Sequence, residues 1–175
     1  MAKKQKAILN DPIFSLKAMS VDYFLLENPK RIEFDLGLKL TNVVGLNLNI
    51  RAGSRVVLFD ELKIIQVLQT IIMETKPPLA DNEVKLVEIQ LAFDFEVSNY
   101  EDFRQDELKF SFTKDFLDKL SNISLSTSRG IIFSKLSGTF LQGIILPIIY
   151  ITPIDLSSVI IIPKGGLTAQ KINPT

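Results

Sequence analysis

Two carboxylates, Asp94 and Glu96, stand two residues apart and come nearest in this chain to an acid–base pair. They fall on the polar side of an alternating segment, which points to a solvated strand face rather than a site. The chain holds neither histidine nor cysteine. It therefore lacks the commonest general base, the commonest nitrogen metal ligand and any thiolate nucleophile. Catalysis would rest on carboxylates, lysine or serine. No G-x-S-x-G, G-x-x-x-x-G-K-[ST] or G-x-G-x-x-G occurs. The pair Gly165-Gly166 reads as a turn near the C-terminus rather than a phosphate cradle. No catalytic residue, metal ligand or cofactor is expected, and an enzyme is not.

Composition narrows the partners. Lysine plus arginine number 20 and aspartate plus glutamate 20, so the net charge is zero and the basic excess that phosphate binding requires is missing. Hydrophobic residues make up 46% of 175, enough for one globular domain. The basic segment 1–10 has no apolar run of signal-peptide length. The longest apolar stretch, Ile144 to Ile162, is cut by Pro147, Pro153 and Asp155, so no membrane insertion is expected. A chain without cysteine suits a reducing cytoplasm.

The elements that would carry any site are mostly strands, then mostly helix. Ile13 to Leu26 reads as a strand with imperfect alternation, followed by a short connection at Asn28-Pro29. Ile32, Phe34, Leu36, Leu38 and Leu40 alternate with polar or small residues and predict a second strand, resuming at Leu46, Leu48 and Ile50. Arg51 to Ser54 reads as a turn. Val56 to Met73 is ambiguous between helix and strand, and its β-branched residues favour strand. A loop at Pro77-Pro78 precedes the clearest strand, Val87 to Val97. Thr113 can cap a short helix carrying Phe116, Leu117 and Leu120. Ser126 or Ser124 can cap a second one, with Ile131, Ile132, Leu136 and Phe140 at helical spacing, ending at Pro147. The expectation is an α+β fold: a four-stranded antiparallel sheet with the C-terminal helices on one face. Residues 1–10 would be flexible, 11–162 one domain and 163–175 a loose tail.

Ser121 to Leu156 combines a serine-rich segment, an apolar helix, Gly138-Thr139-Phe140, Pro147 and Pro153-Ile154-Asp155-Leu156. In that order, behind four strands, these residues resemble the C-terminal part of the SecB family of export chaperones. The resemblance implies an ATP-independent holdase that binds unfolded or exported polypeptides and assembles as a dimer of dimers. It also implies a helix that packs between dimers, with Arg129 at its start, where a carboxylate or solvent would receive the guanidinium. Further partners would be the SecA motor, with Glu27 matching one acidic docking residue, or an antitoxin guarded by a dedicated chaperone. Glu27 to Arg31 leaves room for only a tight connection where the family has a long crossover loop.

A holdase keeps apolar surface exposed and offers sheet edges or grooves. The residues expected to bind polypeptide are Val43, Val44, Leu46, Val56, Leu58, Phe59, Ile144, Leu146, Ile148 and Tyr150. Those expected at the oligomer interface are Arg129, Ile131, Ile132, Leu136 and Phe140. A rival reading is a small-molecule carrier whose sheet curls around an apolar pocket.

Overall fold

Val87, Ile89, Leu91, Phe93, Phe95 and Val97 all point one way along their strand and are buried, while Gln90 and Glu96 on the reverse are exposed. This strand lies at the heart of an α+β fold. The computed structural model describes residues 11–34, 47–76, 81–106, 109–144, 146 and 156–165. Its elements are β1 (Phe14–Leu26), α1 (Pro29–Phe34), β2 (Leu48–Phe59), β3 (Ile64–Thr75), β4 (Val84–Val97), a two-stranded ladder of β5 (Arg104–Asp106) and β6 (Lys109–Phe110), α2 (Lys114–Leu136) and β7 (Ile160–Ile162). The main sheet has five strands in the order β1-β4-β3-β2-β7. All neighbours are antiparallel except β7, which runs parallel to β2, so the sheet is mixed rather than purely antiparallel.

The strand boundaries differ from those expected. Ile32 and Phe34 belong to a helical turn, not a strand. Pro29 takes its first position, where a missing N–H costs nothing, and the Lys30 N–H bonds Asn28 Oδ1 at 2.9 Å. Residues 35–46 of that expected strand lie outside the described residues, and Leu48 and Ile50, where it is expected to resume, open β2. The link from β1 to β2 is no tight connection at Glu27 to Arg31: it leads from one edge of the sheet across to the far side of β3. Arg51 to Ser54, expected as a turn, lies within β2, and the Val56–Met73 stretch holds the end of β2, a hairpin turn and β3. That turn, Asp60 to Lys63, contains no glycine; Lys63 adopts φ 55° instead.

The two expected helices are one. Thr113 does cap it: its Oγ1 accepts the Phe116 N–H at 3.2 Å. The serine-rich stretch that reads as a second cap continues the helix, because its hydroxyls turn inward to carbonyls four residues back. Ser124 donates to Leu120 O at 2.9 Å, Thr127 to Ile123 O at 3.0 Å and Ser128 to Ser124 O at 2.8 Å. The helix stops at Leu136, well before Pro147, where Gly138 takes φ 78°. It lies on one face of the sheet, over β3 and β4.

The core forms between that helix and the sheet, from Val56, Leu58, Ile65, Val67, Ile71 and the inward face of β4. At one end an aromatic group closes it: Phe112 stacks on Phe103 and lies 5.6 Å from both Tyr100 and Phe116.

Candidate functional site

Apolar residues on β1 follow the spacing Phe14, Leu16, Met19, Val21, Phe24, Leu26, in steps of two and three. Strict alternation would scatter them over both faces. Register irregularities between Leu16 and Ala18 and between Val21 and Tyr23 absorb the extra residues, Lys17 and Asp22. All six apolar residues thereby sit opposite Val97, Phe95, Phe93, Leu91, Ile89 and Val87, on the helix side of the sheet.

The helix reaches one end of that row. Phe14 meets Phe95 and Phe116 edge-on at 6.0 and 5.5 Å, under the Lys119 ammonium at 5.4 Å from its ring centre. Phe24 and Leu26 pack partly against the core. Between them Leu16, Met19 and Val21 are 46%, 47% and 39% exposed, and Tyr23 on the reverse face 41%. Among the described residues β1 pairs only with β4, so its outer edge carries unpaired main-chain groups beside this apolar strip. An edge strand thirteen residues long with exposed side chains on both faces is a template for adding a strand.

The opposite face of the sheet is wet and polar. Asp94 accepts from Gln66 Nε2 at 2.8 Å and Glu96 lies 3.5 Å from Lys17, so the two carboxylates belong to that surface. Arg51 pairs with Glu74 at 2.7 Å. Beyond Leu25, Lys85 and Glu88 are 2.6 Å apart, and this hydrogen bond raises the ammonium above its usual range and lowers the carboxylate below its own. A depression of about 410 Å³ on this face is lined by Asp22, Arg55, Leu68, Thr70 and Gln90, a largely polar set.

The residues expected to bind polypeptide are dispersed. Val56, Leu58 and Leu146 are buried in the core, so in this conformation they are packing residues. Phe59 and Ile144 are half-buried. Val43, Val44, Leu46, Ile148 and Tyr150 lie outside the described residues.

Of the expected interface, Ile132 and Leu136 face the core, because they share the inner side of α2 with Leu125 and Ser128. Ile131 and Phe140 are half-buried, and Phe133, which the helical spacing did not single out, is 57% exposed. Arg129 is not at a helix start but inside α2. Its guanidinium is half-buried, and among the described residues Nη2 donates to the Leu146 carbonyl at 3.0 Å, tying that residue back onto the helix.

The exposed strip on β1 is not singled out by the sequence, because a strand of Leu, Met and Val reads first as core. Its signal was the two-three spacing, which marks bulges and hence a strand edge.

No family model matches the chain, and no curated protein matches it. Among solved structures the chain is similar to a Mycobacterium tuberculosis protein, the Rv1957 SecB-like chaperone in complex with a ChAD peptide from the Rv1956 HigA1 antitoxin. The two share 10% identity at a TM-score of 0.47, over 78% of this chain and 90% of that one. Among the described residues no helix is long and apolar enough to cross a membrane.

Proposed function

We propose that this protein is an ATP-independent holdase that binds unfolded polypeptides and performs no covalent chemistry. The observation that supports it is the outer edge of β1, where Leu16, Met19 and Val21 stay exposed beside main-chain groups that have no strand partner among the described residues. An unfolded chain offers both apolar side chains and a free backbone, and a strand edge satisfies both without reading sequence. The exposed helix face around Phe133, with half-buried Ile131 and Phe140, suits contact between copies in a homo-oligomer. Exported proteins on their way to SecA, or a single antitoxin, are the narrower client classes within this reading.

The small-molecule reading draws less support. The apolar cavity bounded by Leu58, Phe110, Phe112, Leu117, Val159 and Ile161 holds about 130 Å³, against roughly 300–1,000 Å³ for typical ligand pockets.

The test is light scattering of a chemically unfolded protein diluted into buffer with and without this one, alongside native mass. The expected result is stoichiometric suppression without ATP by an oligomer. The double variant Met19→Lys, Val21→Lys should lose most of it at unchanged mass. Failure of the unaltered protein to suppress aggregation sinks the holdase. A variant that keeps suppression but drops in mass assigns the strip to self-association instead.

A further inference from the structure

The edge of the sheet opposite β1 is occupied by the chain itself. Ile160, Ile161 and Ile162 pair in parallel with Val57, Leu58 and Phe59, and the Asp60 N–H extends the ladder to the Ile162 carbonyl at 3.0 Å. Pro163 follows and, having no N–H, ends it. Ile161 sits opposite Leu58 on the core side. With Val159 it roofs the 130 Å³ apolar cavity whose other walls are Phe110, Phe112 and Leu117. Ile160 points away and is 44% exposed.

This strand is short for an element that borders a core, with Gly165 N–H reaching Glu61 Oε2 at 3.4 Å just beyond it. It is three residues long and parallel, the weaker pairing mode. Beneath it, Ile161 leaves part of its cavity unfilled. Among the described residues the neighbouring stretch of β2, Leu48 to Val56, has no partner on that side, so the ladder can lengthen. The sequence Val-Ile-Ile-Ile is itself a short, uncharged, β-branched segment of the kind an unfolded protein exposes.

We propose that β7 is an internal stand-in for a client strand. It occupies a second polypeptide site on the outer edge of β2 and yields it to an extended apolar segment rich in β-branched residues, running parallel to β2 with one side chain in the Phe110–Phe112–Leu117 cavity. This rests on the holdase reading and adds to it a second site, occupied in the resting protein by β7. Because β7 is tethered, it competes at an effective concentration of order millimolar. A client must therefore present a well-fitting segment to displace it, which sets a threshold for engagement at this edge.

The test uses the full chain and a fluorescent peptide copying Ser157 to Lys164. In Ile161→Asp the stand-in is disabled, and the peptide should bind at least roughly tenfold tighter than to the unaltered protein. A peptide carrying the same Ile161→Asp change should bind neither. In the unaltered protein, saturating peptide should strip Ile160–Ile162 of hydrogen-exchange protection, a readout independent of whether the variant folds. Equal peptide affinity for both proteins, or undiminished protection at saturation, overturns the stand-in. If the unaltered protein suppresses aggregation while these peptide effects are absent, the stand-in alone fails. If the peptide effects appear but no suppression does, the holdase fails and the strand site stands.

Discussion

Gln69 Nε2 donates to the Ser121 carbonyl oxygen at 3.1 Å and joins the middle of β3 to the middle of α2 through a buried polar contact. Its register partner on β2 is Ser54. Ser54 Oγ, Gln69 Oε1 and Ser121 Oγ are all buried without a hydrogen-bond partner among the described residues. The seam between helix and sheet thus has a polar centre in an otherwise apolar core. Burying a polar atom unpaired costs about 1–3 kcal/mol.

Gln69→Met should therefore unfold within about 1 kcal/mol of the unaltered protein, since it keeps the volume and removes an orphaned acceptor. Gln69→Ala should lose about 2–3 kcal/mol through the cavity it opens. Urea unfolding measures both. Equal losses for Met and Ala would mean that the hydrogen bond to Ser121, rather than packing, holds the seam.

Arg104 is the cation facing Asp60, whose carboxylate is 1% exposed at the β2–β3 turn. Glu101 also takes the Arg104 Nε–H, at 2.9 Å. Arg104→Met leaves the Asp60 charge buried and alone, and should cost about 3–5 kcal/mol. Adding Asp60→Asn should recover much of that. Breaking the exposed Lys114–Asp118 pair should cost about 0.5 kcal/mol or less. A double-mutant cycle distinguishes these outcomes.

Tyr100 is buried, and its hydroxyl has no partner among the described residues. Burial raises its pKa above the ordinary value of 10.0. In the unfolded chain the phenol ionises near its ordinary value, while in the folded chain it stays protonated to higher pH. The unfolded state then binds fewer protons, and stability falls as pH rises above about 10, by at most about 1.4 kcal/mol per pH unit. Tyr100→Phe should flatten that decline and change stability at pH 7 by no more than about 1 kcal/mol. Thermal unfolding from pH 8 to 11 reads both; an unchanged alkaline slope in the variant removes Tyr100 as the cause.

Thr113→Ala removes the acceptor for the Phe116 N–H and should cost about 1 kcal/mol, while Thr113→Ser should cost a few tenths. Circular dichroism at the helix minimum, followed through denaturation, tests it.

Much of the fold was legible in the residues. β4 was visible in its alternation, β1 in its apolar content and the start of α2 in Thr113. What misled was local chemistry with two outcomes. Asn28-Pro29 can make a connection or open a helix, and the Asn28 side chain bonding Lys30 made it the latter. Gly53 suggests a turn, yet it sits within β2 opposite Thr70. The true turn lacks the usual punctuation because Lys63 accepts a positive φ. Serines that cap helices also continue them when each hydroxyl finds the carbonyl four residues back. Ile160–Ile162 reads in sequence only as the end of an apolar run, because a three-residue strand has no period to detect. The candidate site was least legible, since exposure of Leu16, Met19 and Val21 depends on where the helix stops covering the sheet, which no local pattern encodes.

The pairing of Phe14 with Val97 also fixes an order of events. The β2–β3 and β3–β4 pairings join strands consecutive in sequence, whereas β1 is made first and its partner β4 is synthesised only after β2 and β3. At roughly 5–20 residues per second on the ribosome, β1 is out for several seconds before β4 exists. For that interval the apolar residues of β1 are without the strand that partners them in the finished fold.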